Sequence, residues 1–374
     1  MAWVLRSVHV YAPEDKGIQD ILVVGERIVA MGKKLEVVLP GLETIDMQGA
    51  AAIPGLIDQH VHIIGGGGED GCASRVPPLE FSDCARAGVT NLVGTLGTDS
   101  HTRTVRDLLA KTMSLAHDGV TAHCLTGAYE FPSPTLTGNV ADDLVFCGPI
   151  IGCKLAISDH RCSCPTTEEI IRLASQVRLG GLIGGKVGEL HIHVGADERG
   201  IEQLFEIQQR TILPVTQFRP THMGRHLEQG RKWCEMGGYT DITSGEKSAD
   251  AIVTLLSRLD PSRWGLVTMS SDSNGSFPKW NDRREIIGMD RGRMTSLLET
   301  MRGAVEKGLS FETAISLSTS HVADALKFKD YGRIQPGCMA DLTFLKDWKA
   351  YSVMAKGRWL MQKGNLVKKG MFGD

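Results

Sequence analysis

The sequence predicts an α/β fold: a (β/α)8 TIM-type barrel joined to a small β-sandwich domain built from both termini. Three observations carry this expectation. Eight short apolar runs, near 53–58, 89–96, 121–128, 150–157, 190–195, 212–216, 239–243 and 265–271, are separated by mostly longer stretches, several with helical signals. Both ends of the chain are rich instead in short strands and turns. The length of 374 residues suits one barrel of about 250 residues plus something small.

Taken in order, residues 18–32 read as strands around a Gly-Glu-Arg turn, because their β-branched content disfavours a helix. Residues 337–345 and 351–361 repeat that pattern at the other end. The expected division is therefore 1–52 and 333–374 for the two parts of the β domain, with the barrel over 53–332. Within the barrel, Thr166 followed by Glu169 has the form of a capping box ahead of Ile170, Ile171, Leu173 and Ala174. Further helices are expected in 102–117, 201–210 and 249–259. The alternation argues for parallel strands with right-handed crossovers, in a closed barrel or an open doubly wound sheet. The placement of the chemistry favours the barrel.

Composition narrows the function. A formal net charge of −3 and a pI near 6.5 offer no basic footprint for nucleic acid. No apolar run approaches the roughly 20 residues of a membrane span, and the N-terminus lacks the form of a secretion signal. The nine scattered cysteines lack a C-x-x-C pair and read as reduced thiols, so a cytoplasmic protein without a structural zinc knot is expected.

Polar residues end the apolar runs repeatedly. In Ile53-Pro-Gly-Leu-Ile-Asp-Gln-His60-Val-His62, strand alternation sends both imidazoles to one side, where they can share an ion. One H-x-H is weak evidence among twelve histidines, and His191-Ile-His193 is a second instance. Lys154, His193, His222 and Asp272 stand at the ends of later runs. A barrel would gather all of these at one face, around two divalent ions, whereas an open sheet would spread them apart. Lys154 lacks a lone pair as an ammonium. Buried, its pKa would fall, and the neutral amine could react with carbon dioxide to give a carbamate with two ligating oxygens.

This order of residues resembles the amidohydrolase superfamily and, within it, the isoaspartyl dipeptidase family. The resemblance spans essentially the whole chain. It rests on Pro54-Gly-Leu-Ile-Asp-Gln-His-Val-His62 with Gly65-Gly-Gly-Gly-Glu69, Gly97-Thr-Asp-Ser100, Leu125-Thr-Gly-Ala-Tyr129 and Ala156-Ile-Ser-Asp-His-Arg161, then Pro220-Thr-His222 with Arg225 and Asp272-Ser-Asn-Gly-Ser276. It implies two zinc ions bridged by N6-carboxylated Lys154 and hydroxide, one held by His60, His62 and Asp272, the other by His193 and His222. Asp272 would then shuttle the proton, Tyr129 would donate to the oxyanion, and Glu69 would pair the free amine of a β-aspartyl dipeptide. Arg161 and Arg225 would take its carboxylates, with Gly67, Gly68, Thr98 and Ser276 as smaller hydrogen-bonding groups. A homo-octamer is implied as well.

Three segments depart from the family pattern: Ser273 replaces an expected glycine, Thr243-Ser-Gly-Glu246 looks rearranged, and Phe218-Arg219 precede the Pro-Thr-His motif. A positive φ at 273 would strain serine. The competing expectations are a cyclic-amide hydrolase of the dihydroorotase or hydantoinase kind and a non-catalytic assembly relative. Glu69 argues against the first, since a neutral cyclic amide has no ammonium, and the complete ligand set argues against the second.

Overall fold

The computed structural model describes residues 1–280 and 286–371. The N-terminal segment forms strands β1 (Ala2–Tyr11), β2 (Asp15–Val24), β3 (Arg27–Gly32), β4 (Leu42–Asp46) and β5 (Ala51–Pro54). Eight strands follow: β6 (Leu56–Val61), β7 (Val89–Gly94), β8 (Thr121–Gly127), β9 (Ile150–Ile157), β10 (Glu189–Val194), β11 (Phe218–Thr221), β12 (Thr240–Thr243) and β13 (Val267–Ser270). A hairpin of β14 (Ser276–Trp280) and β15 (Ile286–Arg291) comes next, and β16 (Leu342–Lys346), β17 (Lys349–Ala355), β18 (Arg358–Gln362) and β19 (Asn365–Leu366) close the chain.

β6 to β11 form a six-stranded parallel sheet in sequence order, and β12 pairs β13 in parallel. The two ends of this set meet: Val61 bridges Ser273, His62 N donates to Ser273 O at 2.8 Å, and Asp272 N donates to His60 O at 3.1 Å. The strands thus enclose a barrel with its seam between β11 and β12. Pro220 sits in β11 and withholds one donor from the ladder, which fits a seam beside that strand. Seven strands overlap the apolar runs read from sequence. The sixth does not. Residues 212–216 form a loop leading into the short 3-10 turn Val215–Gln217, and Ile212 is fully exposed, because Pro214 interrupts the run. The strand lies instead at Phe218–Thr221, whose arginine and proline disguise it.

The helices follow their local signals. Thr166 Oγ1 accepts from Glu169 N while Glu169 accepts from Thr166 N, so the capping box opens the helix Thr167–Gly184. Helices Val105–Asp118, Glu202–Arg210 and Ser248–Ser257 occupy the other expected stretches.

Both chain ends enter one nine-stranded sheet, ordered β19-β18-β17-β16-β5-β1-β2-β3, with β4 also pairing β1. Trp3 of β1 and Trp359 of β18 lie well apart along this order, yet their rings meet edge to face at 6.2 Å. The sheet therefore curls around a second core that includes Leu5, Ile21, Leu342 and Phe344. No helix among the described residues is long and apolar enough to cross a membrane.

One partly buried histidine outside the barrel mouth sets an acid limit on stability. His123 of β8 packs against Phe328 with ring centroids 5.0 Å apart, and its Nδ1 has no partner. Burial, reinforced by the charges of Lys356 and Lys186, lowers its pKa to about 4. The unfolded chain therefore takes up a proton first as pH falls. The stabilisation is full above the ordinary histidine value of 6.5 and is lost progressively towards about 4. Replacing His123→Gln should flatten this part of the profile by about 2 kcal/mol, read as the difference in denaturation midpoint between pH 7 and pH 4.5. An unchanged slope would contradict it.

Candidate functional site

The ends of five barrel strands bring polar side chains to one mouth. His60 is in β6 with His62 just beyond it, Lys154 is in β9 and His193 in β10, while His222 and Asp272 directly or nearly follow β11 and β13. Alternation along β6 and β10 puts each H-x-H pair on the inner face. His222 and Asp272 adopt left-handed φ values of 64° and 52°, turning the chain where its strand ends.

His60 is the hub of this cluster. Its Nε2 lies 2.9 Å from Lys154 Nζ and 3.5 Å from Asp272 Oδ1, and its ring centroid is 5.3 Å from that of His62 and 5.2 Å from that of His222. His62 Nε2 is 3.0 Å from Asp272 Oδ1. Ligand atoms of His60, His222 and Asp272 all lie within 4.8 Å of one another. This compact set draws on both of the ligand groups that the resemblance implies. His193 packs against His222 at 4.5 Å between centroids, with Nε2 at 2.8 Å from Asp159 Oδ2 and Nδ1 at 2.6 Å from Tyr129 Oη. Thr243 Oγ1 meets His222 Nδ1 at 2.5 Å, so the rearranged 243–246 segment supplies a partner to the cluster.

Burial decides the charge states. It lowers the pKa of His60 and His222 far below the usual range, and Lys154 and neighbouring imidazoles push in the same direction. Lys154 is fully buried, and desolvation brings its amine down to about 7 against the opposing pull of Asp272 and Asp241. Burial opposes ionisation of Asp272, but the close approach of His62 and the charges of His222 and Lys154 prevail, keeping it a carboxylate. Desolvation holds the Tyr129 hydroxyl protonated.

The donor set fits a divalent cation. His62 Nδ1 is buried without a hydrogen-bond partner, and Asp272 Oδ1 makes no hydrogen bond of acceptable geometry despite its proximity to His62. The neutral imidazoles of His60 and His222 and the carboxylate of Asp272 leave lone pairs facing one another, which a cation would satisfy.

The glycine run continues from His62 into a cavity of about 1060 Å³ that Glu69, Tyr129, Arg161, Arg225, His222 and Asp272 help to line. Gly65 and Gly67 have φ of 78° and 74°; a Cβ on either would collide with the carbonyl oxygen of Val76 or Ser74. The run is thus a fixed turn. It ends on Glu69, whose carboxylate accepts from Thr98 Oγ1 at 2.8 Å, Arg161 Nη1 at 3.1 Å and Ser276 Oγ at 3.0 Å. Burial opposes its ionisation, but its own backbone amide, Thr98, Ser276 and Arg161 hold its pKa below the usual value. Gly67 lines the cavity; Gly68 instead sits beside Asp99 and Arg103.

Several residues of the site escaped the sequence reading. Asp159 binds both Arg161 Nε and Nη2, at 2.9 and 2.8 Å, and His193 as well, so one carboxylate sets two side chains. Arg103 clamps the glycine turn through Gly66 O at 2.9 Å and Gly67 O at 3.2 Å. Asp159 lies within a motif already singled out, and Arg103 carries no local signal. Ser273 needs no special conformation: the positive φ values fall on Asp272 and Asn274 on either side, so the strain considered for serine does not arise. Arg219 of the Phe218-Arg219 departure is fully buried and pairs with Glu189 at 2.6 Å.

Residues 262–360 match the model of the amidohydrolase family. The chain is similar to a solved β-aspartyl dipeptidase from Fervidobacterium islandicum in complex with a β-Asp-Leu dipeptide: 38% identity, TM-score 0.91, and 98% of each chain covered. A dihydropyrimidinase from Brevibacillus agri shares the fold at 16% identity and TM-score 0.67, covering 98% of this chain and 96% of its own. An adenine deaminase from Clostridium perfringens is 23% identical over 99% of this chain, which spans only 61% of that protein's length. The extent of the first likeness, together with the ligand cluster at the barrel mouth, shows that the chain belongs to the amidohydrolase family, alongside its β-aspartyl dipeptidase members.

Proposed function

We propose that the chain is a metal-dependent hydrolase that cleaves β-aspartyl dipeptides. The single observation that carries this reading is Glu69: a carboxylate fixed at the end of a rigid turn, in the same cavity as the cation-competent cluster. A free α-amino group is what such a carboxylate would meet. The likeness to a dipeptidase that binds β-Asp-Leu supports the same substrate class.

In this reading His60, His62 and Asp272 would hold one zinc ion and His193 and His222 the other, with Lys154, once carboxylated, as a further ligand. Bound metal supplies a hydroxide nucleophile near neutral pH and polarises the scissile carbonyl. The remaining work belongs to the protein. Glu69 anchors the ammonium, while Arg161 and Arg225 receive the two carboxylates, and Gly67, Thr98 and Ser276 complete the hydrogen bonding; Gly68, expected to join them, faces Asp99 and Arg103 instead. Asp272, kept ionised, accepts the proton and passes it to the leaving amine. Tyr129, kept protonated, donates to the developing oxyanion. Lys154 needs to be neutral to add carbon dioxide, and its lowered pKa favours that form at neutral pH.

Residues 53–332 would be the hydrolase unit. Residues 1–52 and 333–374 would form a two-layered β-sandwich, as the curl of the terminal sheet suggests. A cytoplasmic homo-octamer completes the reading.

The decisive experiment is to purify the protein with zinc and bicarbonate, count bound metal, and assay β-aspartyl dipeptides beside their α-linked isomers. Two zinc ions per chain and selective β-aspartyl cleavage are expected. Absence of bound metal, or turnover of dihydroorotate with none of β-aspartyl-leucine, would overturn the proposal. Lys154→Ala should lose binuclear metal binding and nearly all activity, whereas a fully active variant would contradict the carbamate. Glu69→Gln should keep both metals yet lower kcat/KM for β-aspartyl-leucine at least tenfold, an effect of about 1.4 kcal/mol or more on transition-state binding. Unchanged kinetics would remove Glu69 from substrate recognition.

A further inference from the structure

Beneath the ligand cluster lies a buried chain of polar groups that the proposed reaction does not use. His191 precedes His193 by two residues in β10, so alternation keeps it on the inner face but deeper in the barrel. Its Nδ1 is 3.3 Å from Glu189 Oε1, and its Nε2 is 3.1 Å from His60 Nδ1. Glu189 Oε2 accepts from Arg219 Nη2 at 2.6 Å, and Arg219 also donates to Gln59 Oε1 at 3.3 Å and Ala325 O at 2.9 Å. Glu189, His191 and Arg219 are at most 1% exposed.

Hydrogen-bond polarity along this chain follows from its end. A carboxylate only accepts, so His191 Nδ1 must carry the hydrogen that faces Glu189. Its Nε2 then offers a lone pair, provided that the ring stays neutral. The Glu189 charge is already matched by Arg219, and Asp241, the next anion, is engaged by Gln59, Thr221, Thr268 and Ser270, so neither supports a second buried cation. His191 Nε2 therefore accepts from His60 Nδ1–H. That leaves the lone pair of His60 on Nε2, the atom that faces Lys154 and Asp272.

We infer that Glu189 and His191 are positioning residues that lock His60 in its Nδ1–H tautomer and aim Nε2 into the metal cluster, with Arg219 holding Glu189 in place. The inference rests on the proposed role of His60 as a ligand, although the tautomer itself can be read without metal. Outer partners that fix a ligand's tautomer typically govern metal affinity by 10–100-fold. His191 extends this principle, because a second imidazole here relays the carboxylate to the ligand.

The test uses the full-length protein with 15N-labelled histidine. In the metal-free wild type, two-bond 15N–1H correlation spectra should show His60, assigned by loss of its signals in His60→Gln, as the Nδ1–H tautomer. The opposite tautomer, or a mixture of both, would overturn the inference whether or not the protein binds zinc. His191→Leu should release His60 to a tautomer mixture and weaken zinc binding, measured by chelator competition, by at least tenfold. His191→Gln can accept from His60 through its carbonyl and donate to Glu189 through its amide, so it should restore affinity to within a few-fold of wild type. Equal loss of melting temperature in both variants with zinc affinity unchanged would mean that His191 only fills space. A wild-type protein that shows the expected tautomer but binds no zinc would refute the proposed metal chemistry while leaving the relay intact.

Discussion

The structure depends on placing one amine and several imidazoles inside a barrel that offers few anions to balance them. Around His60 lie Lys154, His62, His191 and His222, with Asp272 as the nearest carboxylate. So many cationic forms could not coexist there out of water. Burial resolves the conflict by lowering the pKa of His60, His191 and His222 and bringing that of Lys154 down to about 7. The neutral forms leave lone pairs converging without donors. The same crowding that would destabilise a hydrocarbon-like core thus prepares a binding site for divalent cations.

The rest of the barrel supports this arrangement. Asp241, fully buried, accepts from Gln59, Thr221, Thr268 and Ser270, so its charge is spent on the strands themselves. Arg219 and Glu189 neutralise each other below the cluster, and Tyr239 stacks against the guanidinium at 4.5 Å. At the mouth, Arg103 holds the glycine turn and Asp159 orients Arg161. In the proposed reading, metal chemistry and substrate recognition therefore meet on one short path, from His62 through the turn to Glu69. Displacing that turn would disturb both.

Much of this was legible in the sequence where a local pattern forces a local structure. Alternation around His60 and His62, the Thr166 capping box and seven of the eight barrel strands are of this kind, each set by neighbours a few residues away. The expected barrel then grouped Lys154, His193, His222 and Asp272 through their places near strand ends, and the family resemblance divided the set between two ions. What escaped was either disguised or non-local. The β11 strand was hidden because Arg219 and Pro220 break its apolar pattern, while the nearby 212–216 run looked more strand-like and lies in a loop. His191 was noticed only as a repeat of H-x-H, since nothing within β10 reveals that His60 meets it in space. Arg103, Asp159 and Thr243 act through partners far along the chain or in a neighbouring strand end, and their roles exist only once the barrel is assembled.

The central claim is that these strand ends form a single centre for two metal ions. Diffraction at the zinc absorption edge, from crystals of the zinc- and bicarbonate-loaded protein, addresses it most directly. Two anomalous peaks are expected at the barrel mouth, within reach of His60, His62, His193, His222 and Asp272, with continuous density from Lys154 Nζ between them. A solitary peak, or zinc bound away from His60 and Asp272, would contradict it.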